Sequence, residues 1–218
     1  MKLRNIILSV AAVALCSTAF ADEGMASSNP MNKGGSYLGL AAGWGNINRE
    51  GGGTQSNSGG FSGRIYTGYL FNASAKWSFG PELGYSFYAN NSSTYVDWFG
   101  QAIVSKVSAN GVDLLLNATY SLNNKMSFSV KPGVQYSFEK DSRTNDGFAE
   151  YYNASGIRPE IDLAAQWQIT ESQPLFLGAS YQYVWGNTTA NDDGGPTNRD
   201  TIIHDRSMLT ANLEYMFG

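Results

Sequence analysis

The last polar segment of the chain holds the best candidates for a reactive set. His204 is the only histidine among 218 residues, next to Asp205 and three positions before Ser207. A serine, a histidine and a carboxylate can form an activated nucleophile. Carboxylates can also bind calcium, and the acidic residues here are Asp192, Asp193, Asp200 and Asp205. Their spacing is not that of a calcium loop, and a lone loop histidine is usually solvated, so we predict neither a catalytic set nor a metal site.

Charged residues at mid-segment form the second group of candidates. They lie on the polar face of segments that alternate between apolar and polar residues: Arg64, Glu82, Asp113, Lys131, Arg158, Glu160, Asp162 and Glu214. Charges in a narrow space of low dielectric constant must be paired or hydrated. Three roles are open to them: a structural polar core, the lining of a narrow pore, or paired catalytic carboxylates.

The composition excludes several classes of protein. One cysteine cannot form a disulfide scaffold, and one Cys with one His cannot supply a zinc site. The net charge is −4 and no basic run is present, which argues against nucleic-acid binding. With 13 Tyr, 11 Phe and 5 Trp, the chain is too aromatic for a disordered protein. We expect one domain without a cofactor.

The N-terminus has the parts of a secretory signal peptide. They are a positive start, an apolar run and a small-x-small cleavage site: Lys2 with Arg4, residues 6–15, and Ala19 to Ala21. We predict cleavage before Asp22, so that residues 1–21 are removed. A lipoprotein signal at Cys16 is the alternative, but Leu15 stands where a small residue is needed. Residues 22–34 are polar and predict a flexible lead.

Eight segments with a period of two follow this lead, and this period is typical of strands. Their predicted bounds are Ser36–Asn46, Phe61–Phe71, Lys76–Tyr88, Gly111–Leu122, Met126–Phe138, Gly156–Ile169, Leu175–Trp185 and Ser207–Phe217. The connections alternate between tight turns and long polar loops, and the long ones are 46–60, 89–110, 139–155 and 186–206. Short turns at one end and long loops at the other are typical of outer-membrane barrels.

The volume of the apolar side chains decides which face points outward. The interior of an eight-stranded barrel is just wide enough for side chains to fill it, and it cannot hold all the large residues of the apolar face. The opposite face is rich in Gly, Ala and Ser and suits a narrow polar lumen. We therefore predict an all-β, eight-stranded antiparallel up-and-down transmembrane β-barrel over residues 35–218, in a Gram-negative outer membrane. A secreted soluble β-protein is the alternative.

Aromatic residues concentrate near the strand ends, as expected for girdles at the membrane interfaces. The predicted girdle comprises Trp44, Tyr69, Phe71, Trp77, Phe79, Trp167, Trp185, Tyr215 and Phe217. These positions imply contact with outer-membrane lipid and lipopolysaccharide. Aromatic residues also lie in the loops, where they could anchor a surface ligand or pack within the loop: Tyr95, Trp98, Phe99, Tyr151 and Tyr152.

Four segments resemble the membrane domain of outer membrane protein A. They are GVDLLLNATYSLNNKMSFSVKPGVQY from Gly111, PELGYSF from Pro81, RPEIDLAAQWQIT from Arg158 and MLTANLEYMFG from Met208. The likeness extends over roughly residues 35–218, in the order, spacing and facing of the strands. It implies that the closing Tyr215-x-Phe217 is the signal for the barrel-insertion machinery.

The chain departs from that family in two respects. It ends at Gly218, so we expect no periplasmic peptidoglycan-binding domain. Glu82 matches a lumen carboxylate of the family, whereas Gln166 stands where the family has a second carboxylate and Asn117 where it has a lysine. The family's gating behaviour therefore does not transfer. His204 and Ser207 also lack the His-x-Ser spacing of the lipid A deacylase barrels.

The turns predict which lumen residues meet. About a turn near Ala73, Arg64 and Glu82 become cross-strand neighbours that pair, and about Asn124, Lys131 faces Asn117. The sequence thus predicts a non-enzymatic outer membrane barrel with a plugged polar lumen and four long surface loops, serving envelope structure or surface interaction. A small porin with a narrow ion-conducting pore is the alternative.

Overall fold

The computed structural model describes residues 34–48, 54–55, 59–96, 100–145, 148–170, 173–187 and 203–217. The predicted signal peptide, nearly all of the predicted lead and most of the last loop lie outside these residues. No helix in the described part of the chain is long and apolar enough to cross a membrane.

Nine strands are present in the described residues. They are β1 (Gly35–Asn48), β2 (Thr54–Gln55), β3 (Gly60–Asn72), β4 (Trp77–Val96), β5 (Ala102–Ser121), β6 (Met126–Asn145), β7 (Phe148–Gln168), β8 (Leu175–Val184) and β9 (Asp205–Phe217). All except β2 form a closed antiparallel ring, because each pairs with the next and β9 pairs with β1. The short β2 pairs with Ser93 and Thr94, near the C-terminal end of β4. The parts of β4–β7 at this end of the barrel are called here the distal parts. The predicted eight-stranded barrel is confirmed.

The four central strands are longer than predicted. β4, β5 and β6 have 20 residues each and β7 has 21. The prediction of long loops at 89–110 and 139–155 is wrong, because these residues continue the ladder as far as the pairs Val96↔Ala102 and Asn145↔Phe148. Beyond the bilayer an outward residue no longer has to be apolar, so the period-two hydrophobic signal stops although the strands continue.

Side chains alternate between the outer wall and the lumen along every barrel strand. The predicted girdle residues all lie on the wall, and most of them are exposed; Trp44, for example, is 60% exposed. At the end with the tight turns, called here the turn end, the rings of Trp77 and Tyr120 lie 4.9 Å apart. At the opposite end, the loop end, the rings of Tyr183 and Trp185 lie 5.0 Å apart. The wall is therefore an apolar band with aromatic residues at both ends.

Two buried apolar clusters lie in the lumen, on either side of a group of buried charges that is called here the charged layer. The turn-end cluster consists of Tyr37, Ala41, Tyr66, Leu70, Phe176 and Met216. The loop-end cluster consists of Ile47, Tyr88, Val107, Ala109 and Met208. Between them lie the buried charges, and buried polar side chains of the other strands, such as Asn117, Thr119 and Ser129 at the turn end, line the rest of the interior.

We predict that a cation on the wall is costly only within the band. Leu40→Arg replaces a wall residue from the middle of β1 and should lower the free energy of unfolding in lipid vesicles by about 2–4 kcal/mol. Val104→Arg, on the wall of the distal part of β5, is the matched control and should cost about 0–1 kcal/mol. Urea titration followed by tryptophan fluorescence measures both. Equal costs would show that the wall at Leu40 does not face hydrocarbon.

Candidate functional site

Arg64 is the centre of the charged layer. Its side chain points inward from β3 and is buried. Its Nη1 lies 2.7 Å from Glu82 Oε1 on β4, and its Nε lies 2.7 Å from Asp113 Oδ2 on β5. Nη1 also lies 3.2 Å from Asp162 Oδ2 on β7, across the lumen. One guanidinium group therefore links four strands, including strands that are not neighbours in the ring.

Glu82 is the second centre of this layer. Besides Arg64 it binds Lys131 on β6, whose Nζ lies 2.8 Å from Glu82 Oε2. The hydroxyl of Tyr37 donates to the same oxygen at 2.7 Å, and Asn117 Nδ2 donates to that hydroxyl at 3.0 Å. Because charge-assisted bonds are the strong ones, these three direct contacts fix the Glu82 carboxylate.

Glycines make the space that these side chains need. A Cβ atom at Gly84 would lie 2.7 Å from Arg64 Nε and 2.8 Å from Asp113 Oδ2. At Gly39 it would lie 2.1 Å from the ring of Tyr66. That ring packs beneath both cations, with Lys131 Nζ 4.9 Å and Arg64 Cζ 5.1 Å from its centroid. The glycine-rich lumen face therefore receives the large side chains of neighbouring strands.

The predicted contact between Arg64 and Glu82 is present, but the predicted register is wrong. Arg64 lies opposite Ser86 and Glu82 lies opposite Gly68, so the two residues are not cross-strand neighbours. The turn is displaced towards β4: the backbone N–H groups of Ala73 and Ser74 both donate to the Trp77 carbonyl. The contact forms because the arginine side chain is long enough to reach along the lumen. About Asn124 the register is as predicted, with Ala118 opposite Val130.

The other predicted lumen charges lie outside these ion pairs. Glu160 accepts a hydrogen bond from Gln182, and Glu214 accepts one from Gln166 Nε2 at 2.8 Å. Arg158 is only half-buried, and its Nε has no hydrogen-bond partner in the described structure. Five of the eight predicted charges therefore form one connected group, namely Arg64, Glu82, Asp113, Lys131 and Asp162.

Arg206 is a buried charge that the sequence analysis missed. It is 0% exposed, and none of its three guanidinium nitrogens has a hydrogen-bond partner in the described part of the chain. Its Cζ lies 5.2 Å from the ring centroid of Tyr88, in the loop-end apolar cluster. The segment was predicted to be loop up to Arg206. Continuing the alternation of β9 back from Glu214 would have placed Arg206 in the lumen.

His204 does not form the reactive set that its neighbours suggest. Its ring Nδ1 contacts the carboxylate of Glu139, which also accepts the His204 backbone N–H at 3.1 Å. Asp205 instead accepts hydrogen bonds from Tyr183 Oη at 2.9 Å and from the Gly186 N–H at 2.5 Å. No group of three or more metal-ligating side chains occurs among the described residues.

Three of the predicted loop aromatics lie in strands of the described structure. Tyr151 and Tyr152 lie in the distal part of β7, on its outer and inner face respectively, and Tyr95 lies in β4. Trp98 and Phe99 lie outside the described residues. Of the two tyrosines that are described with their side chains, only Tyr151 lies on the outer wall.

Comparison with known protein families decides the class of this barrel. The model of the outer membrane protein beta-barrel domain matches residues 8–217. The chain belongs to this family. Membership confirms the predicted kinship with small outer membrane barrels and the location in the cell outer membrane. No curated protein matches the chain in sequence.

The chain is similar to several solved structures. Ail, the attachment invasion locus protein of Yersinia pestis, is 16% identical, with 84% of this chain and 99% of Ail covered and a TM-score of 0.50. The outer membrane protein OprG from Pseudomonas aeruginosa is 12% identical, with coverages of 85% and 98% and a TM-score of 0.51. The outer membrane protease OmpT from Escherichia coli matches at 13% identity, with coverages of 73% and 64% and a TM-score of 0.41.

We predict that Glu82 is coupled more strongly to Lys131 than to Arg64. Glu82→Gln should lower the free energy of unfolding, by up to about 3–5 kcal/mol for a fully dry pair. Arg64 then keeps Asp113 and Asp162, whereas the Lys131 ammonium loses its one carboxylate contact in the described structure. Double-mutant cycles of Glu82→Gln with Lys131→Met and with Arg64→Met measure the two couplings, expected within about 0.5–3 kcal/mol. Coupling near zero in both cycles would contradict the pairing.

We also predict opposite effects for the two buried arginines. Arg206→Met removes a charge that has no counter-charge among the described residues from an apolar cluster, and apolar replacement of buried charges is often neutral or stabilising. The unfolding midpoint should therefore stay or rise. Arg64→Met, the matched control, leaves carboxylates unpaired and should lower the midpoint. If both variants lose stability equally, Arg206 has a counter-charge in the folded protein.

Proposed function

We propose that this protein is a non-enzymatic outer membrane barrel with a plugged lumen that serves envelope structure or surface interaction. The charged layer carries the proposal, because Arg64 contacts carboxylates from three other strands within one narrow interior. The two apolar clusters above and below it add to the obstruction. An ion crossing the lumen would have to break several charge-assisted bonds and pass between closely packed buried side chains.

The distal strands support a role at the surface. In the described part of the chain the β7–β8 ladder runs from Glu160 to Gln168, so the hairpins β4–β5 and β6–β7 extend beyond the described end of β8. In our proposal the loop end faces the exterior and the turn end faces the periplasm. The hairpins then form a protruding sheet, which positions a recognition surface more rigidly than loops would. The barrel-insertion machinery would recognise β9 through its outward Tyr215 and Phe217.

The arrangement of reactive groups favours a non-enzymatic role. The lumen carboxylates are held by ion pairs and amides, and a narrow plugged interior admits no substrate to them. At the loop end the carboxylate beside His204 is Glu139, which is buried on the lumen face. These contacts have a structural role, because they connect β6 to the residue that precedes β9.

Planar-bilayer recording tests the plugged lumen. We expect the purified mature protein to give no reproducible conductance steps, under conditions in which a general porin gives stepwise openings. The same preparation must migrate differently on gels before and after boiling, which shows that it is folded. Reproducible steps from folded protein would overturn the proposal in favour of the small porin.

A further inference from the structure

The outer wall of the distal strands carries cations but no described acid. On β5 and β6 two lysines, Lys106 and Lys140, lie exposed on this wall beyond the level of Phe138. The carboxylates of the same region lie on the inner face: Glu139, Asp141 and Glu150. No acidic side chain lies on the described outer wall of β4–β7 beyond Phe87 and Phe138. In a chain of net charge −4, this wall is locally cationic.

The two lysines are close enough to bind the same ligand. Lys106 lies opposite Ser142, and Lys140 lies opposite Ser108, so the lysines are diagonal neighbours on adjacent strands. Such diagonal positions are about 7–8 Å apart. Tyr151 lies next to Ser142 on β7, and Lys140 Nζ is 5.4 Å from the centroid of its ring. We call Lys106, Lys140 and Tyr151 the basic patch.

The height of the basic patch on the barrel identifies its ligand. Lys140 follows Phe138 by two residues, which is about 7 Å along a strand. Phe138 is an exposed wall aromatic at the loop end, and the aromatic residues of outer membrane barrels concentrate at the membrane interfaces. An outward side chain one step higher meets the headgroups of the outer leaflet, and lysine binds phosphate as a point charge.

We propose that the basic patch binds the phosphate groups of lipid A, the membrane anchor of lipopolysaccharide, in the outer leaflet. The inference rests on the orientation given under the proposed function, with the loop end outward. The ammonium groups of Lys106 and Lys140 contact phosphate, and the exposed hydroxyl of Tyr151 donates a hydrogen bond at the same level. The internal partners of the inner-face acids, such as Ser105 and Arg143 for Asp141, leave the outward lysines available to the lipid.

The test compares lipid A binding by paired variants of the full mature protein. Lys106→Gln with Lys140→Gln removes both charges of the patch. The matched control is Lys76→Gln with Lys125→Gln, two exposed lysines in the turns at the opposite end. Each protein is titrated in detergent with lipid A, with lipid A stripped of its phosphates, with phosphatidylglycerol and with inorganic phosphate. Binding is measured by native mass spectrometry, and gel migration before and after boiling shows that each variant folds.

The inference expects lipid A to bind wild type and the turn-end control alike, and the patch variant about tenfold or more weaker, since each lysine near a charged surface contributes about 1 kcal/mol. Lys106→Arg with Lys140→Arg should retain binding. Unchanged binding by the patch variant overturns the inference, as does equal binding of dephosphorylated lipid A, phosphatidylglycerol or inorganic phosphate. If the turn-end control loses lipid A instead, the orientation in the proposed function is wrong. Conductance steps with intact lipid A binding would overturn only the plugged lumen.

Discussion

Within a bilayer no water reaches the backbone, so every N–H and C=O of a spanning strand must find its partner in a neighbouring strand. β1 and β9 satisfy this condition by pairing from Ser36↔Phe217 to Asn48↔Asp205, which closes the ring. Closure with eight strands leaves an interior only as wide as its side chains. Charges that are far apart in the sequence, such as Arg64 and Asp162, are thereby forced into one layer. The ion pairs of the lumen are a consequence of closure as much as a support for it.

The polar interior has a role that the apolar wall cannot fill. Lipid tails are as apolar as leucine, so burial of the wall in lipid does not distinguish one strand register from another of the same parity. A buried guanidinium does distinguish them, because a shift of β3 against β4 would separate Arg64 from its carboxylates and leave them unpaired. Gly84 adds to this specificity, because it has no Cβ atom and only the observed register places this free space against Arg64 and Asp113. Stability gained from such pairs is small after desolvation, and their larger contribution is to the choice of register.

The sequence predicts those features that alternation alone decides. The parity of Leu40 or Trp44 against Arg64 or Glu82 is visible in single segments, and it yields the wall, the lumen and the number of barrel strands. It does not yield the distal halves of β4–β7, because the outward residues there, such as Ser142 and Asn153, are polar like the inward ones. It also misses Arg206, whose strand begins inside a segment with loop composition. The wrong register of Arg64 has another cause, because turn geometry at Ala73 and Ser74 depends on backbone contacts with Trp77 that residue types do not specify.

Along β6, the outward and inward residues differ in one property before Phe138 and in another property after it. Up to Phe138 its outward residues are apolar and its inward residues polar, because lipid lies on one side and the lumen on the other. Beyond Phe138 the outward Lys140 faces the headgroup level, while Glu139 and Asp141 face inward to His204, Ser105 and Arg143. Since headgroup phosphates are anionic, acids on the outer face there would be repelled and lysines attracted. Beyond Phe138 the described outer face therefore carries a lysine and no acid, whereas the inner face carries the carboxylates together with Arg143, which pairs with Asp141. The hydrogen-bonded ladder of β6 continues without a break across this change.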